Sequence, residues 1–220
     1  MTARTAPRIA ILNPNSTQRM TDEMVTSARS AIADMAEVIG LTNRQGPASI
    51  QGPEDAERCL EGLFAVVEEA RGMGVDAIVI GCFDDTGLAT LRATAGVPVI
   101  GMGEAGCIAG SLAATSFAVV TSLDVAVPVI AENIRVMRLE HRCAGVHASG
   151  VPVLELNEGA DSLRRVQAGL DRMADLHPGC SIVLGCGGMT TLAHKLRAPG
   201  TSRVIDPVAA AVHMCLAALA

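Results

Sequence analysis

Tyrosine and tryptophan are absent from the 220-residue chain, and phenylalanine occurs only three times. That argues against an antibody-like sandwich, a base-stacking platform or an aromatic carbohydrate-binding floor, each of which is built on aromatic rings. An excess of positive charge is missing as well, since 17 Lys and Arg stand against 23 Asp and Glu, a formal net charge of −6. Phosphate backbones and anionic lipid reward a basic surface, so neither nucleic acid nor a membrane is expected as a partner. No apolar run reaches the ~18 residues of a membrane span; Asp76 and Asp84 bound the strongest one. Residues 1–8 carry no signal-type apolar region, and a cytoplasmic location is expected. The cysteines are Cys59, Cys82, Cys107, Cys143, Cys180, Cys186 and Cys215. Their number is odd and no pair is spaced C-x-x-C, which speaks against a disulfide framework, a structural zinc site and a thioredoxin-type motif. His177, His194 and His213 stand at no ligand-type spacing, so no metal is expected.

Half of the residues are apolar and 18% are charged, which is enough to bury a sizeable core. The length suits one domain or two small ones, at roughly 100 to 200 residues per domain. An internal repeat points to two copies of one unit. Residues 8–12 (RIAIL), a polar loop at 13–17 (NPNST) and a helical stretch opening at Met20 form the first block. Residues 116–120 (SFAVV), a polar loop at 121–124 and a helical stretch over 127–137 repeat it 108 positions on, Ile9 matching Phe117. Residues 76–82 (DAIVIGC) recur as 180–186 (CSIVLGC), an offset of 104 from Cys82 to Cys186. Residues 97–101 (VPVIG) with a helical stretch over 104–114 recur as 203–206 (RVID) with 207–218, an offset of 105 from Val99 to Val204.

Short β-branched runs alternating with longer helical patterns are the mark of parallel βαβ units. Ala56, Leu60, Leu63 and Val67 give the segment 54–71 an apolar helical face, and Leu88 and Leu91 do so for 86–95. The expected fold is α/β with two pseudo-symmetric lobes, each a parallel sheet flanked by helices, and a site in the cleft between them. Residues 1–102 form the first lobe, with the C-terminal helix 207–220 a candidate to pack against it, and residues 103–206 form the second.

Ligand sites in such sheets lie beyond the carboxyl ends of the strands. Both copies put a cysteine there, in the turns 81–87 (GCFDDTG) and 185–191 (GCGGMTT). A pseudo-twofold would set Cys82 and Cys186 face to face. A helix opening just afterwards would direct amide N–H groups at each thiol and lower its pKa. Cys59, Cys107, Cys143 and Cys215 are read as small buried apolar residues. Inverting a carbon centre without a cofactor needs a base on one face and an acid on the other, and a symmetric thiol pair meets that need in both directions. Asn15, Ser16, Thr121 and Ser122 occupy the equivalent polar loops; they are candidates for holding substrate, or simply helix caps and Asx-turns. Phe83 either walls the pocket or packs in the core. Asp84 and Thr86 share the cysteine turn as further candidate contacts, with Gly187 and Gly188 on the opposite turn. A carboxylate beside a thiolate raises its pKa, so Asp84 and Asp85 are expected to point away and cap the following helix.

Asn13-Pro14-Asn15-Ser16-Thr17 with Met20-Thr21, the stretch 81–88, Pro98-Val99-Ile100-Gly101 leading to Gly103-Glu104-Ala105, and Val183-Leu184-Gly185-Cys186 with Gly188-Met189 together resemble the aspartate/glutamate/hydantoin racemase superfamily. The resemblance runs from Ile9 to beyond Asp206 and is greatest to the hydantoin racemase branch, which includes allantoin racemases. It implies a cofactor-independent racemase, an isomerase with catalytic cysteines at Cys82 and Cys186, no metal and a homo-oligomeric assembly. Glu104 is then either a pocket residue or a first-turn acid, and Asp206 a helix cap or a residue supporting the site. Gly187 stands where alanine is frequent in the branch and Pro207 where glycine is, which bears on pocket shape.

A pocket for free aspartate or glutamate must compensate two carboxylates, usually with Arg or Lys. The cysteine turns hold no basic residue before Arg92 and Lys195. A cyclic ureide, with its amide N–H and C=O edges, is the expected small-molecule partner, and racemisation at C5 of a 5-substituted hydantoin the expected reaction. Alternatives are allantoin or amino-acid racemisation, a thiol-redox protein pairing Cys82 with Cys186, and a non-catalytic binding module.

Overall fold

A computed structural model describes residues 6–220, so residues 1–5 of the expected leader-free stretch and of the first lobe lie outside the described residues. The chain forms two parallel four-stranded sheets of identical topology. The first contains β1 (Arg8–Asn13), β2 (Glu37–Thr42), β3 (Ala77–Ile80) and β4 (Val99–Gly101), in the order β2-β1-β3-β4. The second contains β5 (Phe117–Thr121), β6 (Cys143–Ala148), β7 (Ser181–Leu184) and β8 (Arg203–Ile205), in the order β6-β5-β7-β8. The repeat extends to register: Ala10 pairs with Ile78 as Ala118 does with Ile182, and Leu12 with Ile80 as Val120 does with Leu184. β3 and β7 are buried at every position, as apolar strands covered on both faces must be.

The helices are α1 (Gln18–Ile32), α2 (Pro53–Gly72), α3 (Leu88–Thr94), α4 (Met102–Ala113), α5 (Val127–Val136), α6 (Ala160–Leu176) and α7 (Pro207–Leu219). The buried face of α2 runs through Cys59, Leu63, Val66, Val67 and Ala70, while Ala56 and Leu60 are only half-buried. The expected helix 86–95 opens two residues later, at Leu88. Asp85 at φ 51° and Gly87 at φ 77° hold the preceding turn in the left-handed region, which a helix cannot include. After Cys186 the chain makes a 3₁₀ helix, Gly187–Leu192, in place of the expected α-helix. β2, β6 and α6 are elements that the repeat-based reading did not assign. One hydrophobic cluster joins the sheets: Ile9, Ile11 and Val79 of the first and Phe117, Val119 and Val183 of the second share it with Val208, Val212 and Cys215 of α7. α7 packs on both α1 and α4. Among the described residues no helix is long and apolar enough to cross a membrane.

Candidate active site

In each sheet the connection from the first strand goes to one neighbour and the chain then crosses to the other side. The strand order therefore reverses between β1 and β3, and between β5 and β7. Loops leaving two such strands diverge and leave a crevice at their carboxyl ends. The four loops at these two points meet in one pocket. Asn15 follows β1, Cys82, Phe83 and Asp84 follow β3, Thr121 ends β5 and Ser122 follows it, and Gly185, Cys186 and Gly187 follow β7. The two cysteine turns are anchored alike: Gly81 N–H donates to Leu12 C=O and Gly185 N–H to Val120 C=O, both at 2.8 Å. A Cβ at Gly81 would lie 2.8 Å from Met24 Cε, and one at Gly185 2.7 Å from Val119 Cγ1, so neither turn accepts a side chain before its cysteine.

Cys82 is half-buried and Cys186 is 9% exposed, both opening into a pocket of about 390 Å³ including its mouth. Met20, Ile50, Ala126 and Val153 complete its apolar wall. These four come from α1 and from loops whose path no local pattern announces. Thr86 lies behind Cys82, its hydroxyl donating to the sulfur across 3.9 Å. Ser16 is not in the pocket wall; its N–H donates to Pro47 C=O. Gly188 is also set back: its carbonyl accepts from Asn157, and its Cα faces Leu156. Asn15 makes the expected Asx-turn and also borders the pocket. Its Oδ1 accepts from Thr17 N–H at 2.9 Å and from Asn13 Nδ2 at 3.0 Å, while its side chain borders the pocket. Thr121 is tied down by donating to Gly185 C=O at 2.9 Å.

The electrostatics overturn one expectation. Burial pushes the Cys82 thiol well above its usual range, the Asp84 carboxylate pushes it further, and Cys186 adds to the rise. Burial likewise pushes Cys186 up to about 12, with Asp84 contributing. Opposing donors are the Asp84 N–H and Thr86 hydroxyl at Cys82 and the Gly188 N–H at Cys186. The expected helix-terminus activation lacks its α-helix, since α3 opens only at Leu88 and a 3₁₀ helix follows Cys186, and burial raises both thiols. Both sulfurs therefore rest as thiols.

The two aspartates also differ from expectation. Asp84 does not point away: it borders the pocket beside both thiols, and burial lifts its carboxyl to about 6. Asp85 does turn away, yet it caps α4, not α3, accepting from Gly103 N–H at 2.9 Å and Glu104 N–H at 2.7 Å. Glu104 pairs with Arg92 at 2.5 Å outside the thiol pocket. Asp206 caps α7 through Val208 N–H at 2.9 Å and accepts from Ser27 of α1. Among the described residues, no group of three or more His, Cys, Asp or Glu is placed to hold a metal ion.

Comparison with known proteins agrees with this geometry in fold and in sequence. The hydantoin racemase of Rhizobium meliloti is 36% identical over 212 residues, covering 96% of this chain and 88% of its own. The hydantoin racemase of Pseudomonas sp. (strain NS671) is 30% identical over 209 residues, covering 93% and 83%. Allantoin racemase from Klebsiella pneumoniae has a TM-score of 0.90 at 34% identity, covering 97% of this chain and 87% of its own. Glutamate racemase from Francisella tularensis, at a TM-score of 0.69 and 17% identity over 98% of this chain and 81% of its own, shares the fold. The model of the Asp/Glu/Hydantoin racemase family matches residues 9–215, and the chain belongs to that family.

Proposed function

We propose that the protein is a racemase inverting C5 of 5-substituted hydantoins, with Cys82 and Cys186 as its acid/base pair. The observation that carries this reading is the pairing of two thiols, one from each copy of the repeat, on one small pocket. C5 of a hydantoin is acidified by the C4 carbonyl. A thiolate on one face removes the C5 proton and becomes a thiol, and the electron pair moves into the carbonyl as an enolate. The thiol on the other face donates its proton to C5 and becomes the thiolate. The product is the other enantiomer, with the two sulfurs' states exchanged, so the same pair runs the reverse reaction. Ser122, which borders the same pocket, is the donor proposed for the enolate oxygen.

Allantoin is itself a 5-ureidohydantoin, and the likeness to allantoin racemase at a TM-score of 0.90 makes it the second substrate to try. The test follows optical rotation of single enantiomers of 5-methylhydantoin, 5-isobutylhydantoin and allantoin. Decay to zero rotation from either enantiomer is expected, and Cys82→Ser or Cys186→Ser should slow it by about 10²- to 10⁴-fold. Unchanged rates in either variant would remove the two-thiol mechanism, and no decay for any ring would remove the substrate class.

A further inference from the structure

Asp84 carries the one ionisable side chain other than the thiols among the residues lining the pocket. Its backbone is engaged, the carbonyl accepting from Asn133 Nδ2 at 2.8 Å. Its carboxylate accepts no hydrogen bond and meets no cation among the described residues. The contrast with Asp85, one residue on and fully satisfied by two backbone N–H groups, makes this a property of the position and not of the turn. Arginines of α1 and α3, the helices that follow two of the pocket loops, have partners of their own. Arg92 is held by Glu104 and the Val99 carbonyl, and Arg19 by Glu23 and the Leu154 carbonyl. A half-buried carboxylate without a protein partner is costly to seal under a ligand, and a ligand donor removes that cost. Two further groups on the same wall are open to a ligand: the Ser122 hydroxyl, and Asn15 Nδ2, whose one contact in the pocket is the Met20 sulfur at 3.7 Å. One acceptor beside two donors matches the alternating N–H and C=O edge of a ureide ring.

We propose that Asp84 sets the specificity of this pocket, its unpaired carboxylate accepting a substrate N–H while its charge turns away substrates that carry a carboxylate. The inference rests on the hydantoin reading and adds the charge class of the C5 substituent: neutral or cationic, not acidic. A like charge brought against a desolvated carboxylate has no counter-ion to offset it, which is discrimination by repulsion as well as by attraction.

The test compares neutral 5-methylhydantoin with anionic 5-carboxymethylhydantoin at pH 8, in the native protein and in Asp84→Asn, Asp84→Ala and the charge-conserving Asp84→Glu. The readouts are kcat/KM and calorimetric binding of both rings. The native protein should favour the neutral ring at least tenfold. Asp84→Asn should reduce that preference by tenfold or more, and Asp84→Glu should keep it. Asp84→Ala should weaken the neutral ring itself by about tenfold or more, through loss of a hydrogen bond to a charged acceptor. An unchanged preference in Asp84→Asn, or equal handling of both rings by the native protein, would overturn the inference. If the native protein binds both rings without racemising either, the racemase reading fails and the binding ratio still decides the role of Asp84. Binding of neither ring overturns both.

Discussion

In the proposed mechanism two protonated thiols cannot start the reaction, because C5 would have to lose its proton to a thiolate. Catalysis draws on the fraction of molecules in which one sulfur has ionised, and raised thiol pKa values make that fraction grow as the solution becomes more alkaline. The predicted pH profile of kcat/KM therefore climbs from neutrality to beyond pH 9; a plateau reached below pH 7 would contradict it. The groups facing Asp84 are Cys82, Cys186 and its neighbour Asp85. Because the Asp84 charge raises both thiols, Asp84→Asn should move the rising limb to lower pH. At this scale the sequence was legible where strand position decides the matter. Cys82 and Cys186 stand out because an all-apolar strand, a glycine and a cysteine recur in both copies. The inward aim of Asp84 was not legible, since two adjacent aspartates in one turn look alike in sequence and only their surroundings in the fold tell them apart.

The turn carrying Cys82 is braced by a helix it does not precede. Asp85 satisfies two of the N–H groups at the start of α4, and a Cβ at Gly103 would sit 2.1 Å from Phe83 C=O, so turn and helix are fitted closely. Asp85→Ala is predicted to cost about 1 kcal/mol of stability, the usual worth of a helix cap. It should also lower kcat through displacement of Cys82. Chemical denaturation and steady-state kinetics on the same preparation check both effects, and normal kcat with lowered stability would confine Asp85 to capping. β1, β3, β5 and β7 were readable because buried strands are continuous apolar runs. β2 and β6 were not, because an edge strand with exposed Glu37, or with Gly145 and His147 in a half-buried run, lacks that signal. α6 is the counterpart of α2, with Val166, Leu170 and Met173 standing 103 positions after Leu63, Val67 and Ala70, but none of these three pairs is identical and so the match went unassigned.

Two sheets joined by one hydrophobic cluster should not unfold separately. Phe117 of β5 is fully buried in the cluster that also contains Ile9, Ile11 and the inner face of α7. Phe117→Ala is predicted to cost about 3 to 5 kcal/mol, the usual range for emptying a buried aromatic site. Calorimetry should still give a single transition, because α7 ties the first copy to the second. Two resolved transitions in the native protein would show that the lobes are independent. The duplicated architecture was legible from three blocks at offsets of 104 to 108 residues. The shared core was not, because a repeat fixes what each copy looks like and leaves open how their outer faces meet.

The central claim is that Cys82 and Cys186 serve opposite faces of one carbon. Proton NMR in D₂O tests it most directly, following the C5–H signal of each enantiomer of 5-methylhydantoin with Cys82→Ser and Cys186→Ser against spontaneous exchange. The account predicts that each variant exchanges the C5 proton of one enantiomer only, and that the two variants select opposite enantiomers. Exchange of both enantiomers at native rates in either variant, or the same enantiomer selected by both, would contradict it.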